Sequence, residues 1–324
     1  MFHMIELVDL KDRKILFELE QDSRQSLSQI AKKVGLKKET VFHRMRSLEK
    51  RGIIKNYLTE INIYKLGFQF YPILIKFQNS TPQIEEDIFD YFKKSQFIAW
   101  LTKCEGFWDL NATIITKNNF ELKIFLDEFL EKYSAYISDK HIFITTEIHY
   151  FKRGFWLGKK INQTVSTGGE PTIEPENSDI ALLRILSTNA RKPLVEIGRD
   201  LNLTAKNVAY KINKLKKNKI IQGSRILVDF SKIGYKFYKV WFTLQDITKQ
   251  NFKMLMNYFQ DHPNIIWATK FIGYYDLSIE LEVKDTDEFR EIINDVKQKF
   301  SKLIKKHESL LIFKETIMNY LPKN

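Results

Sequence analysis

The sequence predicts an α+β fold in which a two-part unit occurs twice: a winged helix-turn-helix domain, then a ferredoxin-like βαββαβ domain. Three observations carry this. The stretch TKCEGFWDL, Thr102 to Leu110, returns as TKFIGYYDL, Thr269 to Leu277. The same offset, held without gaps, aligns Asp12, Leu16, Ile30, Val41 and Leu48 with Asp179, Leu183, Ile197, Val208 and Leu215, and Gly67 and Trp100 with Gly234 and Trp267. Core positions and special backbone positions are those a duplicated fold keeps. Near residue 65, and again near 232, apolar residues stop recurring at helical spacing and give way to short aromatic and β-branched runs.

Each element follows from local pattern. Ile15, Leu16 and Leu19 make a first helix. From Ser26 to Ile54, Leu27, Ile30 and Val34 form one apolar stripe, Gly35–Leu36 turns the chain, and Val41, Met45 and Leu48 form a second. Two short amphipathic helices joined by a tight turn read as a helix-turn-helix. The layout recurs from Pro193 to Ile221. YPILIKFQ from Tyr71, FIAWLTKC from Phe97 and LNATIIT from Leu110 read as strands, as do KVWFTLQ, IIWATKF and LSIELEV in the second copy. Helices begin near Pro82, Phe120, Gln250 and Asp287, and HIFITTEIHYF and LLIFKETIMNY close the two copies. A proline at a helix start loses no hydrogen bond. Gln163 to Asn177 holds Gly168, Gly169, Pro171 and Pro175 without apolar periodicity and reads as a linker. The predicted boundaries are 1–64 and 65–160 for the first copy, 161–177 for the linker, and 178–231 and 232–324 for the second.

The 324 residues are 44% hydrophobic and 14% aromatic, enough for packed cores, and carry a net charge of +12 that favours polyanionic partners. No apolar run is long enough for a membrane span and no signal peptide is read, so a cytoplasmic protein without a membrane partner is expected. The single cysteine, Cys104, excludes internal disulfides and a multi-cysteine metal site. No P-loop, dinucleotide-binding glycine pattern, nucleophile elbow or HExxH is present, so neither catalytic residue, cofactor nor metal is expected.

The second helix of each helix-turn-helix presents a basic outer face: Lys37, Lys38, Thr40, His43, Arg44 and Ser47 in the first copy, and Thr204, Lys206, Asn207, Tyr210, Lys211 and Lys214 in the second. Such residues reach phosphates and base edges when the helix enters the major groove of double-stranded DNA. Lys38, Arg44, Lys206 and Lys211 are the candidates for backbone or guanine contacts. A lysine-rich face is also what a merely solvated helix carries, and phosphate neutralisation alone would suit an architectural DNA-bridging protein. The segment KRGFWLGKK from Lys152 is expected to pack Phe155 and Trp156 and leave its lysines in water.

Asp12, Ile15 and Leu16, then Gly35, Leu36, Val41, Arg44, Leu48, Glu49, Gly52, Ile53 and Ile54, then Gly106 and Asp109, together resemble the Lrp/AsnC family of archaeal and bacterial transcription regulators. The second copy departs from it at Asn202, Lys211, Lys216 and Lys219. The resemblance implies a dimerising, ligand-sensing domain (the RAM type) after each DNA-binding domain. It also implies an amino-acid-like effector near the hairpins Gly106, Phe107, Trp108, Asp109 and Gly273, Tyr274, Tyr275, Asp276. Those residues equally suit a structural hairpin, Gly for positive φ and Asp for a backbone hydrogen bond. Two copies in one chain then make an intrachain pseudo-dimer, with homo-oligomers of full chains open. Because the two recognition faces differ, an imperfect palindrome is expected as operator. A siroheme-decarboxylase-like enzyme shares the two-part architecture. It needs histidines, and His3, His43, His141, His149, His262 and His307 do not coincide between copies.

Overall fold

The computed structural model describes residues 8–158, 164–171, 174–318 and 320–322. The first copy runs α1 (Leu10–Gln21), α2 (Leu27–Val34), α3 (Lys38–Lys50), β1 (Ile54–Ile61), β2 (Gln69–Phe77), α4 (Pro82–Lys94), β3 (Ile98–Gly106), β4 (Leu110–Thr116), α5 (Asn119–Tyr133), β5 (Ile137–Ile142), β6 (Ile144–Phe151) and β7 (Thr164–Gly168). The second runs α6 (Asn177–Thr188), α7 (Leu194–Leu201), α8 (Ala205–Lys217), β8 (Ile221–Val228), β9 (Lys236–Leu244), α9 (Lys249–Asp261), β10 (Ile265–Ile272), β11 (Leu277–Val283), α10 (Thr286–Lys299) and β12 (Ile304–Met318). Predicted strands and helices are recovered, while the closing strands begin earlier than their apolar runs suggest. Among the described residues no helix is long and apolar enough to cross a membrane.

The two copies are interlocked through their backbones. The wing strands β1 and β8 pair antiparallel with Leu58 opposite its own counterpart Arg225, so a pseudo-twofold axis passes through that pair. The start of each wing, Ile53–Ile54 or Ile220–Ile221, packs in its own helical core. Its far end enters the other: Ile226, Val228 and Phe230 join the α1–α3 core, and Ile61, Ile63 and Leu66 join the α6–α8 core. Ten strands form the other sheet, in the order β5-β2-β4-β3-β12-β9-β11-β10-β6-β7. The order 5-2-4-3 and its repeat 12-9-11-10 are the two ferredoxin-like units. The long strand β12 pairs with β9 through its first half and crosses to β3 with its second. β5 and β6, separated only by Phe143, do the same between β2 and β10. One extended stretch thus joins β2 at one end of the sheet to β10 near the other, as β12 joins β3 to β9, and β7 lies outermost on β6.

Helices α4 and α5 cover one side of the first unit around Phe89, Phe92 and Phe129; α9 and α10 cover the second around Phe259 and Val296. The space between the units is filled by aromatics from both copies, among them Trp108, Phe143, Trp241 and Tyr275, all fully buried.

Three features go beyond what spacing along the chain conveys. The linker is not free of structure: β7, within 161–177, adds to the sheet edge by pairing with β6, while residues 161–163 and 172–173 lie outside the described residues. The boundaries 1–64 and 178–231 do not delimit self-contained domains, because each helical core borrows the other copy's wing. Backbone exchange across a pseudo-axis leaves no mark in local periodicity. Finally, in the KRGF segment Trp156 is buried as expected, but Lys152 and Arg153 are buried too; Lys159 and Lys160 lie outside the described residues. The Arg153 guanidinium grips Glu282 on β11 through two hydrogen bonds of 2.9 and 2.6 Å and reaches Glu20 on α1 at 2.9 Å. This arginine ties the first helical domain to the second sheet unit.

Breaking such a cluster from one side strands buried carboxylates. Arg153→Met is expected to destabilise the protein by about 3–5 kcal/mol, visible as a lower denaturant midpoint; a midpoint within error of wild type would count against the cluster's role. Burial, and then the Asp109 carboxylate, push the Cys104 thiol up to about 12. Because the thiolate is the reactive form, native protein should react with a thiol reagent only as it unfolds. Rapid labelling of the folded chain would contradict this placement.

Candidate nucleic-acid interface

Both helix-turn-helix units are set by local chemistry. Ser26 and Gln29 form a capping box on α2, and Gly35 ends it in the left-handed conformation at φ 68°. In the second copy Thr204 caps α8, and Asn202 takes the turn at φ 54° where the first copy has glycine. Lys219 adopts φ 55° opposite Gly52 at 68°. The departures at Asn202 and Lys219 thus preserve the backbone course, Asn being the side chain that best tolerates this region.

The two units are clamped into one body. Ser23 N–H donates to Ser224 O and Ala190 N–H to Tyr57 O, each bond running from one unit's helical loop to the other's wing. Arg24 donates to Ala190 O, and its counterpart Arg191 donates to Ser23 O and, at 2.9 Å, to Gln25 O. Two recognition helices are therefore presented at fixed separation and orientation, as a symmetric dimer would present them.

On α3, Lys38, His43 and Ser47 are exposed and Thr40 is half-buried, with Lys37 exposed at its N-cap; on α8, Lys206, Asn207, Tyr210 and Lys214 are exposed, with Thr204 exposed at the N-cap. The lysines at the N-terminal ends of both helices add to the positive pole of the helix dipole, which suits phosphate. Arg44 and Lys211 differ from the rest. Arg44 bonds Asp9 at 2.8 Å and Asp12 at 2.7 Å, and Lys211 bonds Glu176 at 2.8 Å and Asp179 at 2.9 Å. These equivalent ion pairs brace α3 against α1 and α8 against α6. Lys214 also reaches Glu176, at 3.4 Å.

Sequence reasoning missed Phe42 and Arg46. Phe42 is exposed on α3, lies edge-on to His43 and stacks under Arg46 at 5.6 Å. An aromatic beside the Val41 stripe rather than on it was the available signal. Phe42 can meet a thymine methyl and Arg46 a phosphate or guanine.

The hairpin residues face each other across the axis. Gly106 and Gly273 have φ 143° and 150°, and a β-carbon at Gly106 would stand 2.7 Å from Ser309 O. Trp108 and Tyr275 are buried, the indole N–H donating to the Tyr275 hydroxyl at 3.3 Å. Asp109 accepts from Phe77 N–H at 2.8 Å and Asp276 from Leu244 N–H at 2.7 Å. The polar groups thus serve the hairpins; the glycines are exposed at the turns, and of the hairpin side chains those of Phe107 and Tyr274 are the exposed ones.

Residues 8–55 match the family described as winged helix-turn-helix DNA-binding, and residues 177–216 the AsnC-type helix-turn-helix domain. The transcriptional regulator LrpA of Pyrococcus abyssi is 30% identical over 116 residues, 36% of this chain and 81% of its own. The regulator FL11 of Pyrococcus furiosus is 30% identical over 122 residues, 37% of this chain and 79% of its own. Each relative thus spans about one copy. Among solved structures, the siroheme decarboxylase NirDL superposes with a TM-score of 0.64 at 13% identity, covering 96% of this chain and 94% of that one. At that identity the likeness is one of fold alone. Two helix-turn-helix matches, regulators matched over most of their length, and a doubled architecture agree: this chain belongs to the Lrp/AsnC family of helix-turn-helix transcription regulators.

Proposed function

We propose that the chain regulates transcription as a single-chain pseudo-dimer that reads a double-stranded operator with two non-identical recognition helices. The observation that carries this is the reciprocal clamping of the two helix-turn-helix units, each wing seated in the other's core. A bivalent, rigid reader binds two half-sites at one spacing, and the different side chains on α3 and α8 make those half-sites differ. Lys37, Lys38, Lys206 and Lys214 supply phosphate contacts, while Thr40, His43, Ser47, Asn207 and Tyr210 face the bases. Phe107 and Tyr274 are the hairpin side chains an effector from solvent would meet. Among the described residues, His43, His141 and His149 lend an enzymatic reading no support. His43 is exposed on α3, His141 packs against Tyr274 with ring centres 4.4 Å apart and the planes tilted by 34°, and His149 bonds Ser166 at 2.9 Å; His3 lies outside the described residues.

The test is binding to duplex carrying the upstream region of its own gene, against scrambled duplex, across a salt series. Retained preference for the upstream duplex as salt rises is expected; affinities that collapse together would leave an architectural protein. Selection from random DNA should recover imperfect palindromes, and perfectly symmetric sites would contradict the two-reader arrangement. Asn207→Ala should cost about 1–3 kcal/mol and relax one half-site only, since a bidentate Asn–adenine contact has that worth.

Arg44, as a brace, behaves differently. Arg44→Ala leaves Asp12 without its cation, and should cost about 1–3 kcal/mol of stability while weakening every DNA sequence alike. A base-specific loss at unchanged thermal stability would return Arg44 to the reading face.

A further inference from the structure

Strand β7 fills a groove whose pseudo-symmetric counterpart is open. In the first copy β7 lies antiparallel on Glu147 to Phe151 of β6. Asn62 Nδ2 donates to Gly168 O at 3.2 Å and Gln222 Nε2 to Ser166 O at 2.5 Å, so side chains from both copies hold it in place. The repeat offset maps Glu147–Phe151 onto Lys314–Met318 of β12, Asn62 onto Asp229, and Gln222 onto Lys55. β12 pairs with β9 as far as Ile312, and from Lys314 to Met318 it pairs with β3 on its other edge. Beyond Ile312 the β9 side of β12 carries no strand among the described residues. A groove of about 340 Å³ lies there, between Leu311–Glu315 and the turn at Asp229, Phe230 and Tyr235 that leads into β9.

The open edge can accept a strand. β12 shifts register between Ile312 and Lys314, and a bulge can terminate pairing. β6 shifts at the equivalent point, between Thr145 and Glu147, and β7 still pairs from Glu147 onward. The bulge therefore does not block the edge. Unpaired strand N–H and C=O groups are a template for another chain, and Phe313 beside them is 59% exposed. The walls set the charge of the occupant. Lys55, Lys236 and Lys314 line the groove together with Asp229 and Glu315; the first copy has Gln222, Gln69, Glu147, Asn62 and Ile148 at those positions. Asp229 faces Lys55 at 3.3 Å, and Glu315 accepts from the Trp100 indole at 2.7 Å. Lys236 donates to the Thr286 hydroxyl and Lys314 lies over the Phe89 ring, and neither forms an ion pair among the described residues.

We propose that this groove takes an extended, acidic peptide segment of a partner protein, which adds antiparallel to β12 as β7 adds to β6. Main-chain hydrogen bonds to Lys314–Met318 supply the affinity, and alternate side chains of the peptide supply the choice of partner. Lys55 stands where Gln222 caps a β7 carbonyl and is placed to donate to a peptide carbonyl. Lys236 and Lys314 meet the acidic side chains. A β-carbon at Gly168 would stand 2.7 Å from Thr146 O, so glycine is also expected in the peptide opposite Lys314. Because β7 occupies the equivalent groove, the acceptor exists once per chain. The duplicated fold thus offers two readers to DNA and a single edge to a partner protein.

The experiment is fluorescence anisotropy of a labelled peptide titrated with the full chain. The probe has the sequence of residues 162–170, NQTVSTGGE, with Gln163→Glu and Ser166→Glu. One control carries lysine at both of those positions. A second adds Thr164→Pro and Val165→Pro to the acidic probe; neighbouring N–H groups of a strand point to opposite edges, so one of the two prolines removes a ladder donor. One acidic peptide per chain is expected, with each control weaker by about tenfold or more. Lys314→Glu, which gives an exposed position the first copy's residue, should weaken the acidic probe by about tenfold with thermal stability unchanged. Lys236→Gln, chosen on the same ground, is expected to act in the same direction and decides the matter should the first variant not fold. No binding, equal binding of the three peptides, two peptides per chain, or binding unaffected by these variants would each overturn the proposal. Displacement of the probe by scrambled duplex would assign the lysines to phosphate and overturn it as well.

Discussion

The antiparallel ladder between β1 and β8 is the constraint from which the rest of the molecule follows. Strand edges carry unpaired N–H and C=O groups that must be satisfied, and here each wing satisfies its edge on the other copy. Once Leu58 sits opposite Arg225, the axis is set and the far end of each wing is committed to the opposite helical core. The crossing of β12 and of the β5–β6 stretch repeats the same exchange in the sheet layer. The two layers share one pseudo-axis because one chain contributes to both.

Joining the copies removes a restriction that a homodimer obeys. In a homodimer a residue near the axis occurs twice, so a lone charge there meets its own image. Here Arg225 can face Leu58, and Lys239 and Glu280 can oppose Pro72 and Thr113. The Glu20–Arg153–Glu282 cluster is likewise one-sided, with Ser187, Tyr320 and Ile115 at the corresponding positions. Fusion thus permits different anchoring for the two helix-turn-helix units and different outer faces on α3 and α8, Phe42 and His43 against Ala209 and Tyr210.

Backbone demands limited how far the copies diverged. Gly35 became Asn202 and Gly52 became Lys219 while the left-handed conformation stayed. Arg44 became Lys211 while the double ion pair to the preceding helix stayed. Trp108 became Tyr275, and the two now bond to each other across the axis. Side chains changed where a substitute could perform the same physical task.

The duplication, the order of helices and strands, and the basic faces of α3 and α8 were legible in the sequence, because each rests on spacing along the chain: 3.6-residue stripes, alternating runs and a repeat offset. The capping residues and the hairpin glycines are local for the same reason. What spacing does not carry is pairing. That β7 adds a strand to the sheet from inside an apparent linker, that each wing serves the other core, that Arg44 pairs with Asp9 and Asp12, and that Lys152 and Arg153 are buried are outcomes of contacts between residues far apart in sequence. The sequence by itself determined two regulators' worth of elements on one chain. Only the tertiary structure decided that they form one body, since the hydrogen bonds and buried charges joining them exist only when distant segments meet.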